Sequence, residues 1–409
     1  MHKIFIFSNL LLLFSISLNA TELKIVPVGE AQADTLKYSI SILKDNNASL
    51  KTIKNILVND FSFYRSIIER NQSSSKSDLL INIKRENKFV FIETTFNEKK
   101  ITNKVNLKFN RKDIHKVADN IYNLITNKKS IFNSSIIFVS DRTSKKRKIV
   151  KELYIMDFDG FNKKRLTFFN KTVVSPAFSP DNKLISFSLI EGYGKSKNIN
   201  LYTLNLQNKK FKKISTYKGM NSGAIFSPDG KELVLTLSIN GNAEIYKINI
   251  KSKKLIRLTK NYAPDVDPSV FGNKLTFLSG RPGKPMIYVS DFDGLEKNVK
   301  RISYVGKFNA TPRFSPSGET IVFSSWLDNR FDLFRINSNG TGLSRLTKDF
   351  GSNEDPNYTN DGQFIVFSSQ KVYSRSKAVT NLYIMDNEGQ IISKLTNNYG
   401  NCQSSRASN

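Results

Sequence analysis

Ala224-Ile225-Phe226-Ser227-Pro228-Asp229-Gly230, then Leu233–Ser238, then Ile245-Tyr246, then Arg257-Leu258-Thr259, form one unit of a repeat that decides the fold. Pro-Asp-Gly between two apolar runs makes a tight turn, because proline presets φ and glycine accepts a positive φ. The alternation within the runs turns one side of the unit toward a neighbour. The same pieces recur along the chain. The apolar run ending in serine appears as Ile136–Ser140, Leu184–Ser188, Leu233–Ser238, Leu275–Ser279, Ile321–Ser325 and Ile365–Ser369. Each is followed by an apolar-aromatic pair such as Leu153-Tyr154 or Leu333-Phe334, and then by Arg/Lys-Leu/Ile-Thr/Ser, as in Arg165-Leu166-Thr167 and Arg345-Leu346-Thr347.

A fourth piece precedes the run in five units, fullest in Pro176-Ala177-Phe178-Ser179-Pro180-Asp181 and Pro312-Arg313-Phe314-Ser315-Pro316-Ser317-Gly318. From Pro176 through Ala224, Pro268, Pro312 and Pro356 the steps are 48, 44, 44 and 44 residues. Four short strands in each unit of about 45 residues specify a β-propeller, here with six blades. The first unit, Ile136 to Thr167, lacks the fourth piece. Laying Tyr399-Gly400-Asn401 on Phe350-Gly351-Ser352 puts Ser405–Ser408 on Pro356–Thr359, so the C-terminal strand is expected to close blade one. That would remove an open sheet edge. The tail carries serine where other copies carry proline and alanine where they carry an aromatic residue.

The N-terminus reads as an export signal. Lys3 is followed by Ile4–Phe7 and Leu10–Leu18, and Leu18-Asn19-Ala20 offers a cleavage site. Its apolar stretch is shorter than the roughly 20 residues of a spanning helix. A mature chain of 409 − 20 = 389 residues starting at Thr21 is therefore expected, exported and without stable membrane insertion. Residues 21–130 lack the repeat and read as a small α/β domain, with the propeller over 131–409. Leu23–Val28 and Leu36–Leu43 read as strands, Leu50 to Ile68 as a helix, and Leu79–Ile83, Phe89–Thr95 and Val105–Phe109 as a meander. Asp113 is expected to cap a second helix carrying Ile114, Val117, Ala118, Ile121, Leu124 and Ile125. Two or three domains suit 409 residues.

Composition excludes several functions. Two histidines, His2 and His115, and one cysteine, Cys402, exclude an intramolecular disulfide and a Cys/His zinc site made by this chain alone. His115 reads as a surface or satisfied interfacial histidine. There is no Gly-x-Ser-x-Gly and no phosphate-binding glycine loop. Asp157-Phe158-Asp159-Gly160 and Asp291-Phe292-Asp293-Gly294 lack the later ligands of a calcium loop and read as hairpin turns. The chain carries 63 Lys+Arg against 35 Asp+Glu, a net charge of +28, but an exported protein seldom meets nucleic acid. The excess reads as a solvated surface, with attraction to an anionic envelope as the alternative. Asp45–Ser49 and Glu69–Ser73 match an acidic-x-Asn-x-Ser sequon at Asn47 and Asn71.

The loops before the innermost strands are expected to ring one mouth of the channel. They carry Asp265 and Asp267, Glu354 and Asp355, and the polar residues Asn221-Ser222-Gly223 and Asn309-Ala310-Thr311. Converging carboxylates in so basic a chain point to a local negative site for a cation or a basic partner segment. Turn-capping acids facing water are the competing reading.

With its export signal, small α/β domain and six blades, and with Leu153–Gly160, Ser227-Pro228-Asp229-Gly230 and Arg345-Leu346-Thr347, the sequence resembles the TolB family, periplasmic propellers of the Tol–Pal system of Gram-negative bacteria. The resemblance implies a binding protein with no cofactor, monomeric, serving outer-membrane integrity and constriction during cell division, with Pal, TolA and other envelope proteins as partners and no nucleic acid. It implies Pal binding at the channel mouth, here Ser175, Asn221, Ser222, Gly223, Asp265, Asp267, Asn309, Thr311, Asn353, Glu354 and Asp355. It implies TolA binding through Thr21, Glu22, Leu23, Lys24, Ile25, Val26, Pro27 and Val28, an alternating segment able to add to a partner's sheet edge. The alternative is an exported propeller that binds or cleaves cell-wall glycan or peptide, with Asp267 and Asp355 holding a metal.

Overall fold

The computed structural model describes residues 35–43, 47–69, 77–145, 148–375 and 377–408. The export signal, the segment Thr21–Val28 and the Asn71 sequon lie outside the described residues. Asn47, the other sequon asparagine, caps the first helix by accepting from Ser49 N at 2.8 Å.

Among the described residues, six four-stranded sheets follow one another around a ring, and one five-stranded sheet precedes them. Within each blade the strands run antiparallel, and the innermost ones are Cys402–Ala407, Thr172–Phe178, Asn221–Phe226, Asp265–Phe271, Asn309–Phe314 and Ser352–Tyr358, for blades one to six. The C-terminal strand pairs with Ser135–Ser140, from Cys402 opposite Ser140 to Ala407 opposite Ile136. Asn401 fastens its start by donating to Asp141 at 2.6 and 2.8 Å. Ser135 N donates to Ser408 Oγ at 2.9 Å at its end.

Aromatic pairs hold the blade interiors. Phe138 stacks on Tyr154, Phe187 on Tyr202, Phe277 on Tyr288, Phe323 on Phe334 and Phe367 on Tyr383, with centroids 5.6–6.1 Å apart. Each pair joins directly opposed residues of the second and third strands, where side chains stand closest. The Ser-Pro-Asp-Gly turns are locked by their own side chains. Ser227 Oγ donates to Asp229 Oδ1 at 2.6 Å and accepts from Glu232 N at 3.0 Å, while Gly230 sits at φ +69°.

The α/β domain consists of β1 (Leu36–Leu43), α1 (Ala48–Phe61), β2 (Ile67–Glu69), β3 (Leu79–Glu86), β4 (Phe89–Phe96), β5 (Lys99–Asn106) and α2 (Arg111–Thr126). Its sheet order is β2-β1-β3-β4-β5, with β1 parallel to both neighbours and the rest antiparallel. Three local expectations are corrected. The first helix stops at Phe61 rather than Ile68, because Phe63 and Tyr64 leave it to pack edge-on against Phe364 of the propeller and Ile67 joins the sheet. The last strand is Lys99–Asn106 rather than Val105–Phe109. A tight turn at Asn97 and Glu98, both at positive φ, sets its register, and Ile101 and Val105 face inward. Asn110 caps α2, with Asp113 one turn in, completing a capping box. One apolar core runs from this domain into blades one and six, through Phe132, Phe158 and Phe364.

Candidate functional site

An antiparallel blade puts two kinds of connection at opposite ends of the ring. The turns between first and second strands and between third and fourth lie at one end, the turn end. The loops between blades and between second and third strands lie at the other, the inter-blade end.

The inter-blade loops are held by a repeated staple. Glu244, at the start of a third strand, is fully buried. It accepts from Arg257 Nη2 at 2.9 Å, Thr259 Oγ1 at 2.8 Å and Asn261 N at 2.9 Å. Thr259 Oγ1 in turn accepts from Ile245 N at 2.9 Å. Glu152 with Arg165 and Thr167, and Asp332 with Arg345 and Thr347, repeat the arrangement. This explains the Arg-Leu-Thr motif: arginine neutralises the buried acid, threonine both donates and accepts, and leucine points into the blade. Blade four has Met286 at the acid's position, and Asp265 takes over the charge by accepting from Arg281 at 2.8 Å.

Four residues expected at a partner-binding mouth belong to this internal framework instead. Asn221, Asp265, Asn309 and Asn353 are at most 1% exposed. Asn221 accepts from Ser215 Oγ at 2.6 Å and donates to Ile199 and Tyr217 carbonyls. Asn309 ties Ser303 to Ser325, and Asn353 donates to Asp332 and Thr347. A side chain enclosed and hydrogen-bonded in this way presents nothing to a partner.

Five of the other seven form a ring, and Ser222 and Glu354 each precede one of its members. Ser175, Gly223, Asp267, Thr311 and Asp355 occupy one position in successive inner strands, joined by Ser404 in blade one, and all have φ between +49° and +65°. At each the strand slips register against its neighbour, which is a bulge that re-aims the side chain. Burial raises the Asp267 carboxyl. Burial, with Asp355 beside it, pushes Glu354 up to about 7 although its side chain still meets water in the channel mouth.

The expectation of a simply negative channel is corrected by two arginines. Arg313 and Arg406 lie two residues beyond the ring position in blades five and one, and are 5% and 7% exposed. Asp267, Arg313, Asp355 and Arg406 thus alternate in sign around four consecutive blades. Both guanidiniums favour the charged form of Asp267, against the raising effect of burial and of Asp355.

Sequence reasoning missed a set of exposed aromatic residues on the inter-blade loops. Phe168, Tyr217, Tyr262 and Tyr304 are 68, 39, 82 and 71% exposed. Arg165 lies over the Phe168 ring at 4.4 Å and Arg301 over Tyr304 at 4.2 Å, which holds the rings outward. The signal was present: an aromatic residue follows each of these Arg/Lys-x-Thr/Ser strands within three residues.

At the turn end the α/β domain meets the propeller through a buried ionic joint. Asp159 of blade one accepts from Arg111 Nε at 2.9 Å. His115 Nδ1 is hydrogen-bonded to Asp60 Oδ2 at 2.8 Å, and its Nε2 lies 3.7 Å from Asp159 Oδ2. Burial pushes the Asp60 carboxyl up to about 6, against the lowering pull of His115. Asp60, His115 and Asp159 stand close enough to hold a metal ion, but Arg111 already supplies the positive charge there. His115 is an interfacial histidine. Tyr64 donates to Asp361 at 2.9 Å and Gln363 to Tyr122 at 3.1 Å, extending the joint to blade six.

These features define a class: a six-bladed propeller with its C-terminal strand in blade one, an α/β domain on its turn end and an aromatic-studded inter-blade end. The TolB beta propeller domain profile matches residues 122–408, and the chain belongs to that family. Tol-Pal system protein TolB of Francisella tularensis subsp. mediasiatica (strain FSC147) is 28% identical over 298 residues, 71% of this chain and 64% of that protein. The relative from F. tularensis subsp. tularensis (strain SCHU S4) is likewise 28% identical, over 71% of this chain and 63% of its own length. The chain thus spans less than two thirds of these curated relatives. TolB from Acinetobacter baumannii superposes with a TM-score of 0.76 over 91% of this chain and 96% of its own, at 22% identity. A putative TolB from Agrobacterium tumefaciens gives 0.50 over 66% and 91%, at 21% identity. At such identities the likeness is one of fold. No helix among the described residues is long and apolar enough to cross a membrane.

Proposed function

We propose that the protein is a non-enzymatic periplasmic scaffold of the Tol–Pal system. It binds Pal with the inter-blade end of its propeller and TolA with the segment Thr21–Val28, and so contributes to outer-membrane integrity and constriction at division. The observation that carries the Pal reading is the exposed aromatic set Phe168, Tyr217, Tyr262 and Tyr304 on the inter-blade loops. Aromatic anchors on a rigid frame are what protein interfaces concentrate. On the innermost strands, Ser222, Gly223, Asp267, Thr311, Glu354 and Asp355, with Ser175, supply polar groups that a partner segment entering the mouth would meet.

The TolA reading rests on the family and on the alternating residues Leu23-Lys24-Ile25-Val26, a pattern suited to adding as a strand to a partner's sheet. Calorimetry of the mature protein with Pal from the same organism tests the scaffold. Binding in the nanomolar to micromolar range is expected, and no binding by folded protein would overturn it. Deleting residues 21–28 is expected to abolish TolA capture and spare Pal; unchanged TolA binding would refute that half.

A further inference from the structure

The turn end of the channel opens into a cavity of about 380 Å³. Its floor is made by one residue from each inner strand: Ala177, Ile225, Ser269, Arg313, Asn357 and Arg406. Two of these six are charged, and both are arginines. They lie in blades five and one, with Asn357 of blade six between them, so both guanidiniums sit on one arc of the wall.

Their hydrogen bonding is incomplete. Arg313 Nη1 donates to its neighbour's carbonyl, Pro312 O, at 2.6 Å, and Arg406 Nη1 donates to Ser405 O at 2.8 Å. Arg313 Nε is buried without a partner. Among the described residues no carboxylate lies within 4.0 Å of either guanidinium. Asp267 and Asp355 act on them only through space. Burial first, and then the like charge of Arg313, push Arg406 down to about 9.

Enclosed cations with unspent N–H donors are costly, and a planar guanidinium is satisfied best by a two-oxygen acceptor. The rim above this floor is apolar: Phe178, Phe226, Phe271, Phe314 and Tyr358 line it together with Pro180, Pro228 and Pro316. We infer that this cavity is a carboxylate-binding site, in which Arg313 and Arg406 grip the acid and the aromatic rim takes an apolar body attached to it. The site is separate from the inter-blade aromatic surface and opens at the other end of the ring. Two sources share this chemistry, a small free acid and the C-terminal carboxylate of a peptide chain.

The test is calorimetry on the mature full chain with N-acetylphenylalanine, its carboxamide, and the peptide Ala-Ala-Phe with a free or amidated C-terminus. The acid is expected to bind at least about tenfold more tightly than the carboxamide, and to raise the melting temperature where the carboxamide does not. Arg406→Gln and Arg313→Gln are each expected to lose at least about tenfold in affinity. Ile225→Trp, which fills the cavity and leaves both arginines in place, is expected to block binding while the protein stays folded. Should the arginine variants unfold, the acid-against-amide comparison on wild type and the Ile225→Trp variant decide the matter. Tighter binding of the free peptide than of N-acetylphenylalanine assigns the site to a chain end, and the reverse assigns it to a small acid. Equal binding of acid and carboxamide, no binding of either acid up to about 20 mM, or undiminished binding by folded Ile225→Trp would overturn the proposal.

Discussion

The two ends of the propeller spend their charged residues differently. At the turn end, Asp159 and Asp361 reach out of the ring to Arg111 and Tyr64 of another domain. At the inter-blade end, Glu152, Glu244, Asp265 and Asp332 turn inward and are consumed by arginines of their own blades. Among the side chains that the inter-blade end leaves exposed are the rings of Phe168, Tyr262 and Tyr304. One repeat therefore yields a cemented end and an open one, and the difference lies in what faces each loop rather than in the kind of residue it carries.

The largest test of that contrast is Asp159→Ala. Removing it leaves Arg111 without its carboxylate partner in a largely enclosed joint, so a loss of about 3–5 kcal/mol is expected in urea unfolding. The comparison is Asp349→Ala at the inter-blade end, where Asp349 pairs with Arg330 at 2.6 Å but is 71% exposed. There the expected cost is under about 1 kcal/mol. Similar costs for both would erase the distinction.

Thr259→Val probes the staple. The hydroxyl bridges Glu244 and Ile245 N, and its loss leaves a buried acceptor and a buried donor short of a partner. A fall of about 1–3 kcal/mol is expected from the denaturation midpoint. A neutral result would mean that the arginine alone satisfies the acid.

Tyr262→Ala combined with Tyr304→Ala addresses the open end. Both rings are exposed, so the melting temperature is expected to stay within about 1 °C, while Pal affinity measured by calorimetry drops about tenfold or more. Unchanged affinity would move the interface away from this rim.

The smallest expected effect is that of Glu354→Gln. The folded-state pKa of Glu354, about 7, lies above its ordinary 4.5. The group's contribution to stability is therefore full below pH 4.5 and is lost as pH rises through 7. The variant removes the ionisation, so its melting temperature is expected to match wild type at pH 5 and exceed it by about 1–2 °C at pH 8.5. A constant offset at both values would show that Glu354 does not titrate in this range.

The blade pattern was legible because each unit is a local object. Ser227-Pro228-Asp229-Gly230 closes its own turn, and Arg257-Leu258-Thr259 answers a glutamate fifteen residues upstream of its threonine within one blade. The resemblance to the TolB family, read from the same strings and the domain order, agrees with the profile match over 122–408. The α/β domain was less legible at its joint. Leu50 to Ile68 has an uninterrupted apolar stripe, yet the helix ends at Phe61 because Phe364 and Phe158 offer Phe63 and Tyr64 a better burial than another helical turn would. Candidate channel residues were identified by position in the repeat, but position did not tell an enclosed Asn309 from an accessible Glu354.

By itself, then, the sequence determined what depends on short spacings: four strands in each unit, six units, the turn chemistry and the Arg-x-Thr strand. The tertiary structure decided what depends on neighbours far apart in the chain. It enclosed His115 between Asp60 and Asp159, and it brought Arg313 and Arg406 onto one wall although 93 residues separate them. It also left the inter-blade Tyr262 and Tyr304 rings 82 and 71% exposed. Local sequence sets which groups a strand carries, but burial, and with it the cost or availability of each charge, is set only once the ring has closed around them.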